Sequence, residues 1–191
     1  GDANDYVGKG LSGGTITIRP PASAGYLAAD NTIIGNTVLY GATSGKLFAN
    51  GQAGERLCVR NSGALVVTEG CGSNGCEYMT GGEAVILGAT GNNFGAGMTG
   101  GMAFIYDPDN QFEDRANPET LFILPLSQDY WQDHLKSILT EHVKATDSAL
   151  ARQLLTDWDV EKRHFKQVVP KEIINTLAHP VAPENAESQS A

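Results

Sequence analysis

The chain has 191 residues, of which 41% are hydrophobic and 18% charged, so it can bury a core and is not a disordered polyampholyte. Its formal net charge of −9 excludes the classes that need clustered Lys and Arg, which are nucleic-acid-binding proteins and proteins of anionic membrane surfaces. Glycine is in excess, at 23 of 191 residues against an average of roughly 7%.

The sequence predicts neither a secretion signal nor a membrane span. Its first residues lack a basic start followed by an unbroken apolar core, and no stretch approaches the roughly 18 apolar residues of a transmembrane helix. Three cysteines form no dense disulfide framework, which favours a reducing cytoplasm. The chain opens on Gly1 without an initiator Met, so we expect that it begins inside a longer polypeptide.

The glycines are periodic. Five triplets of the type Ser/Thr/Asn, Gly/Ser, Gly recur with steps of 31, 18, 19 and 19 residues, and a short β-prone run follows each triplet. A further glycine lies nine or ten residues before the end of each of the last four triplets. The triplets are 12–14, 43–45, 61–63, 80–82 and 99–101, the runs are 15–18, 46–49, 64–67, 83–87 and 102–106, and the further glycines are Gly35, Gly54, Gly72 and Gly91.

This period predicts a single-stranded right-handed parallel β-helix over residues 1–107. A repeat of about 19 residues cannot bury its own apolar face, but stacked repeats pair their strands in parallel and build one continuous core. We expect the glycines to provide positive φ at the corners of the coils. The long first step predicts an inserted loop at about 20–30, which a solenoid tolerates at a corner.

After residue 107 the pattern changes, and no glycine occurs beyond Gly101. We expect a connector over 108–126, an α-helical extension over 127–169 and a flexible tail over 170–191. Ser127 is a candidate N-cap for a first helix, and Asp147 or Ser148 for a second. An open solenoid end exposes unpaired strand edges, so the helices are predicted to cover it. Apolar residues recur at helical spacing at Tyr130, Trp131, Leu135, Ile138, Leu139, His142 or Val143, and again at Leu150, Leu154, Leu155 and Trp158.

The cysteines do not form a recognisable metal motif. Cys71 and Cys76 are five residues apart, whereas structural zinc and iron–sulfur sites need three or four closely spaced ligands. Cys58 lies between Leu57 and Val59, which predicts a buried position in an alternating strand. The loop 91–97 resembles a phosphate loop in its glycines only, because no Lys-Ser/Thr pair and no amphipathic helix follow it.

The histidines and carboxylates suggest no triad. All four histidines (His134, His142, His164 and His179) fall in the helical part or the tail, and His134 and His142 are spaced to share a helix face. The glutamates of the coils are Glu55, Glu69, Glu77 and Glu83. Carbohydrate-cleaving β-helices place acids on stacked strands, so Glu69 and Glu83 are a candidate acid–base pair.

Several motifs resemble the C-terminal domain of the large (alpha) subunit of glutamate synthase. They lie within 1–14, 34–43, 54–56, 59–64, 75–82 and 93–101; the last reads Asn-Phe-Gly-Ala-Gly-Met-Thr-Gly-Gly. The resemblance covers roughly 1–170. It implies a parent enzyme that makes glutamate from glutamine and 2-oxoglutarate, with an N-terminal amidotransferase domain, FMN and an iron–sulfur cluster.

The resemblance also implies what this segment contributes. The family's catalytic residues lie in other domains, so we expect no catalytic, cofactor-binding or metal-binding residue here and no activity from the isolated chain. The expected partners are the other domains of the large subunit, and a small subunit that supplies NADPH and FAD if the enzyme is NADPH-dependent, which is the form we expect.

Two other functions are open. A related coil domain occurs in a subunit of formylmethanofuran dehydrogenase, so the chain could be a separately encoded interaction subunit. A carbohydrate-cleaving β-helix is the third hypothesis, and it predicts paired acids in an exposed groove.

Overall fold

The computed structural model describes residues 1–181 and contains nine strands, three α-helices and four short 3-10 helices within that range. The strands are β1 (Ser12–Ile18), β2 (Thr32–Ile34), β3 (Ser44–Ala49), β4 (Gln52–Ala53), β5 (Ser62–Thr68), β6 (Thr80–Ile86), β7 (Gly100–Tyr106), β8 (Leu121–Pro125) and β9 (Phe165–Pro170). The helices are α1 (Asp129–Thr146), α2 (Ala149–Thr156) and α3 (Trp158–Glu161), with 3-10 turns at Ala28–Asp30, Pro118–Thr120, Lys162–His164 and Lys171–Thr176.

The predicted β-solenoid is confirmed. Strands β1, β3, β5, β6 and β7 pair in parallel in chain order, one from each coil, and they contain the five predicted β-prone runs, apart from Leu87. A second side of each coil forms a shorter row, in which β2 pairs with β4 and bridges continue through Cys71 to Thr90. The rest of each coil supplies the crossover that parallel strands need.

The third side of the coils is a turn ribbon rather than a strand. Three alternate residues in every coil have φ between +53° and +73°, for example Thr37, Leu39 and Gly41. The first and third of these donate their N–H groups to the next coil, and the second donates to the preceding coil, as Leu39 does to the Val7 carbonyl at 2.8 Å. Non-glycine residues pay roughly 1–2 kcal/mol for this conformation, and the hydrogen bonds between coils hold them in it.

The glycine row Gly35, Gly54, Gly72 and Gly91 serves close packing instead of positive φ. None of the four has positive φ, but a Cβ atom on any of them would collide with the preceding coil. On Gly72, for example, it would lie 2.9 Å from the backbone nitrogen of Glu55. The expectation that the glycines set the corner dihedrals holds for others, such as Gly82 with φ +83°.

Strands cover the C-terminal end of the solenoid. Strand β9 pairs antiparallel with the last parallel strand, β7, and β8 then pairs with β9. Phe112 packs edge-on against Phe94 of the last coil, with ring centroids 5.3 Å apart. The unpaired edge of β7 needs backbone partners, which a helix cannot offer because its own N–H and C=O groups are already paired. The helices therefore lie across the outer face of the parallel sheet and not over its end.

The stretches predicted as connector and helical extension thus each contain a strand. The tail is ordered up to residue 181: Trp131 donates its indole N–H to the Pro180 carbonyl at 3.1 Å, and Val181 is buried. The rest of the predicted flexible tail, 182–191, lies outside the described residues.

We predict that Gly91→Ala lowers the free energy of unfolding by about 2 kcal/mol or more, because the new methyl group forces two coils apart. Gly25→Ala is the matched control, since its Cβ would meet no atom within 4 Å and its φ is not positive. That substitution should be neutral or slightly stabilising. Urea unfolding of both variants makes the measurement, and equal stability of the two would contradict the packing role of this row.

Candidate functional site

The main candidate site is the junction between the parallel sheet and the helices. Side chains of the parallel strands alternate, so that one set fills the solenoid and the other set faces outward under α1 and α2. The outward row Phe48, Val67, Val85 and Phe104 is buried against Trp131, Leu135, Ile138 and Leu139 of α1. Each such buried side chain contributes roughly 1.5–3 kcal/mol, which makes this layer a second hydrophobic core.

Polar pairs fix the position of the helices on this layer. His134 Nε2 lies 2.9 Å from both carboxyl oxygens of Glu83, and Lys46 Nζ lies 2.8 Å from both oxygens of Glu141. These pairs join residues 51 and 95 positions apart in the sequence. His134 and His142 do share one face of α1, and it is the face that packs on the sheet.

The Glu83 pair makes His134 a better base. The hydrogen bond that the ring N–H donates to Glu83 raises the pKa of His134, while partial burial opposes this shift. Both side chains keep about a third of their surface exposed, so the pair is a modest stabilising contact.

Glu69 forms a third polar contact, at the turn between the two helices. Ser148 caps α2 by accepting the Ala151 N–H, and its hydroxyl donates to Glu69 Oε1. Glu69 is 2% exposed, and desolvation raises the pKa of its carboxyl group although the Ser148 hydrogen bond acts in the opposite direction.

His142 is buried in the junction without polar partners. Its ring lies 5.8 Å from that of Phe48, and neither ring nitrogen has a hydrogen-bond partner within residues 1–181. Desolvation lowers the pKa of His142 to about 4, so the ring is neutral at pH 7.

The three cysteines lie in the solenoid interior. All are buried and free. The sequence predicted that Cys58 lies in a strand, but it lies in the turn ribbon with φ +61°. A hydrogen bond between the Cys58 and Cys76 thiols, with burial, raises the pKa of Cys76, and burial likewise raises that of Cys71. Protonated, inaccessible thiols are poor nucleophiles and poor metal ligands.

The structure does not bring Glu69 and Glu83 together as an acid–base pair. The strand register aligns Glu83 with Leu65, four residues before Glu69, which separates the two positions by roughly 13 Å along the strand. Each carboxyl group has its own partner under the helices, so the exposed groove expected of a carbohydrate-cleaving β-helix is occupied by α1 and α2. No sequence signal identified the partners His134 and Ser148.

The other candidates are dispersed. Glu55 and Glu77 lie in the turn ribbon, His164 ends a 3-10 helix, and His179 stacks on Tyr130 with ring centroids 3.5 Å apart. The loop 91–97 forms part of the last coil's ribbon, where Asn93 donates to the Asn74 side chain at 2.9 Å. In the part of the chain that the structure describes, no three His, Cys, Asp or Glu side chains are grouped to hold a metal ion. Over the same residues, no helix has the length and apolar character to cross a membrane.

Comparison with known proteins shows the family of this chain. Residues 1–171 match the model of the GXGXG motif family. The chain belongs to the GXGXG motif family. The alternate-residue ribbon of the last coil includes Gly95-Ala96-Gly97, where both glycines have positive φ.

Relatives of this GXGXG chain are glutamate synthases, which confirms the resemblance seen in the sequence. It is 60% identical over 181 residues to the glutamate synthase [NADPH] large chain of Azospirillum brasilense, covering 95% of this chain and 12% of that one. It is 51% identical over 170 residues to the ferredoxin-dependent glutamate synthase of Pyropia yezoensis, covering 89% and 11%. The glutamate synthase [NADPH] large chain of Bacillus subtilis is 46% identical over 179 residues, covering 93% and 12%. The chain thus spans about an eighth or a ninth of the length of these relatives.

We predict that His142→Leu stabilises the chain, by about 1 kcal/mol at pH 7, because it removes two buried, unpaired ring nitrogens. The folded-state pKa lies below the ordinary value near 6.5, so the wild type is fully stabilised above about pH 6.5 and loses stability as the pH falls towards 4. The gain in unfolding free energy of the variant over the wild type should therefore increase as the pH falls, and at pH 4 it should exceed the gain at pH 7 by about 3 kcal/mol. Urea unfolding at pH 7 and pH 5 provides the test; an advantage that stays constant or shrinks would contradict it.

The contribution of the Glu83–His134 pair to stability should have the opposite pH dependence. A raised histidine pKa gives stability that is complete below about pH 6.5 and is lost as the pH rises through the folded-state pKa. Glu83→Gln should cost about 0.5–1 kcal/mol at pH 6 and less at pH 9. Glu141→Gln is the control, because it breaks an ion pair with a lysine instead of a histidine, and its cost should stay constant. A Glu83→Gln cost that is independent of pH would exclude the charged pair.

Proposed function

We propose that this chain is the structural C-terminal domain of a glutamate synthase large chain. In that role it braces the amidotransferase and flavin domains of an enzyme that makes glutamate from glutamine and 2-oxoglutarate, and it carries no active site of its own. The observation that supports the proposal is the match of nearly the whole chain to about a tenth of several glutamate synthases.

The construction of the chain suits a brace. Hydrogen bonds run between coils on every side of the solenoid, and a second buried layer fastens the helices along its length. Such a ladder resists bending because deformation breaks many backbone contacts at once. Two active sites that exchange ammonia need a constant separation, since an intermediate released into water is lost.

The cysteines of this chain do not suit the iron–sulfur cluster of the proposed parent enzyme. An iron–sulfur cluster needs several thiolates, whereas Cys58, Cys71 and Cys76 are all buried, and burial raises the pKa of Cys71 and Cys76. We place FMN and the cluster in other domains, with NADPH and FAD on a small subunit. The NADPH-dependent form is proposed because the 60% identical relative is of that type. The cytoplasm is the proposed location.

The test uses a complete glutamate synthase large chain that contains this segment. Leu139→Ala removes a buried side chain from the junction and should cost about 2–5 kcal/mol of local stability. We expect glutamine hydrolysis to continue while the glutamate formed per glutamine hydrolysed falls. Val160→Ala, at a side chain that is 58% exposed, is the control and should leave this ratio unchanged.

An unchanged ratio in a Leu139→Ala enzyme that is demonstrably loosened by thermal unfolding would refute the bracing role. The isolated 191-residue chain should bind no flavin and hydrolyse no glutamine. Activity of the isolated chain would instead favour a self-sufficient subunit.

A further inference from the structure

A cleft of about 610 Å³ lies between the inserted loop of the first coil and the turn that joins α1 to α2. Its volume is within the range of sites for small molecules. Pro20, Tyr26 and Leu27 of the loop form one wall, and Ala149 and Leu150 of α2 form the other. Apolar and polar groups share the lining, and its polar side chains include Asn50, Glu69 and Gln153.

The floor of the cleft carries the Glu69 carboxylate. Ser148 donates to one of its oxygens. The side-chain amide of Asn50, oriented with its nitrogen towards Glu69, donates to both oxygens, at 3.1 and 3.2 Å. These donors are neutral. Within residues 1–181 no Lys, Arg or His side chain lies within ion-pair distance of Glu69.

The charges around the cleft favour a cation. The charged groups that line the cleft are three carboxylates, those of Asp30, Glu69 and Asp147, and two cations, the Arg19 guanidinium and the Gly1 ammonium group, which donates to the Arg19 carbonyl at 2.8 Å. Asp147 is paired with Arg152, whereas Glu69, which is buried, and Asp30, which is exposed, have no cationic partner within residues 1–181. A buried carboxylate is costly without a counter-charge, so a cationic ligand would gain from its presence.

We propose that this cleft binds a primary ammonium group on a short alkyl stem, with the head on Glu69 and the stem between Leu27 and Leu150. A planar guanidinium needs two free carboxylate oxygens in one plane, but Asn50 already contacts both. A compact ammonium group donates to one oxygen from any direction. Burial raises the pKa of Glu69, and an adjacent ammonium group acts in the opposite direction by favouring the ionised form.

The ammonium group has two possible sources, a free alkylamine or a lysine side chain of a neighbouring polypeptide. Both present the same head on the same kind of stem. The cleft lies away from Leu139, so this proposal stands or falls independently of the bracing role.

The experiment is a titration of the 191-residue chain at pH 7 with n-butylamine, followed by NMR on the side-chain amides of Asn50 and Gln153, which line the cleft. We expect saturable shifts of both signals. 1-Butanol and n-butylguanidine, which is also charged at pH 7, should bind about tenfold more weakly or not at all. Nα-acetyl-lysine amide in place of n-butylamine separates the sources, because tighter binding of the lysine compound indicates a side chain and weaker binding a free amine.

Glu69→Gln should weaken binding about tenfold, and Glu83→Gln, which changes a carboxylate outside the cleft, should leave it unchanged. If Glu69→Gln does not fold, Asp30→Lys at the exposed rim should still weaken binding about two- to fivefold. The proposal is overturned if n-butylamine gives no saturable shift, if 1-butanol binds equally well, or if these variants bind like the wild type.

Discussion

The distance between neighbouring coils is the constraint on which the rest of the structure depends. Strands in register stack roughly 4.8 Å apart, and every coil must present its backbone groups to the next one at that spacing. Gly72 and Gly91 are glycines because a Cβ atom there would meet the backbone of the preceding coil. Leu39 and Cys58 take a left-handed conformation because their N–H groups must reach the preceding coil while their side chains fill the interior.

A stack of this kind leaves two problems, an open end and an apolar outer face, and the C-terminal part of the chain resolves both. Strand β9 supplies backbone partners to β7, and α1 covers the outward row that includes Phe48 and Phe104. The solenoid and the helices consequently share one buried layer, and the Glu83–His134 pair adds a modest polar contact between them. The shared layer makes the chain suitable as a brace, because the helices cannot move relative to the coils without exposing that layer to water.

The coils could be predicted from the sequence because stacking demands the same residue type at the same height, and glycine recurs visibly. The turn ribbon could not, since residues such as Leu39 and Arg56 disfavour positive φ and only contacts between coils impose it. Strand β9 was missed for a related reason: its conformation is decided by β7, about 60 residues away. The polar contacts of the junction could not be predicted from the sequence either. Glu69 and Glu83 stood out as acids, but His134 and Ser148 became their partners only through the fold.

The central claim is that the coils and helices form one cooperative unit. Native-state hydrogen exchange of the 191-residue chain in increasing urea tests it most directly, since it gives the opening free energy of each amide. The account predicts that the amides of Leu39 and Cys58 in the ribbon and of Leu139 in α1 exchange with the same free energy, that of global unfolding. Exchange of Leu139 through a separate opening of much lower free energy, while the ribbon stays protected, would contradict it.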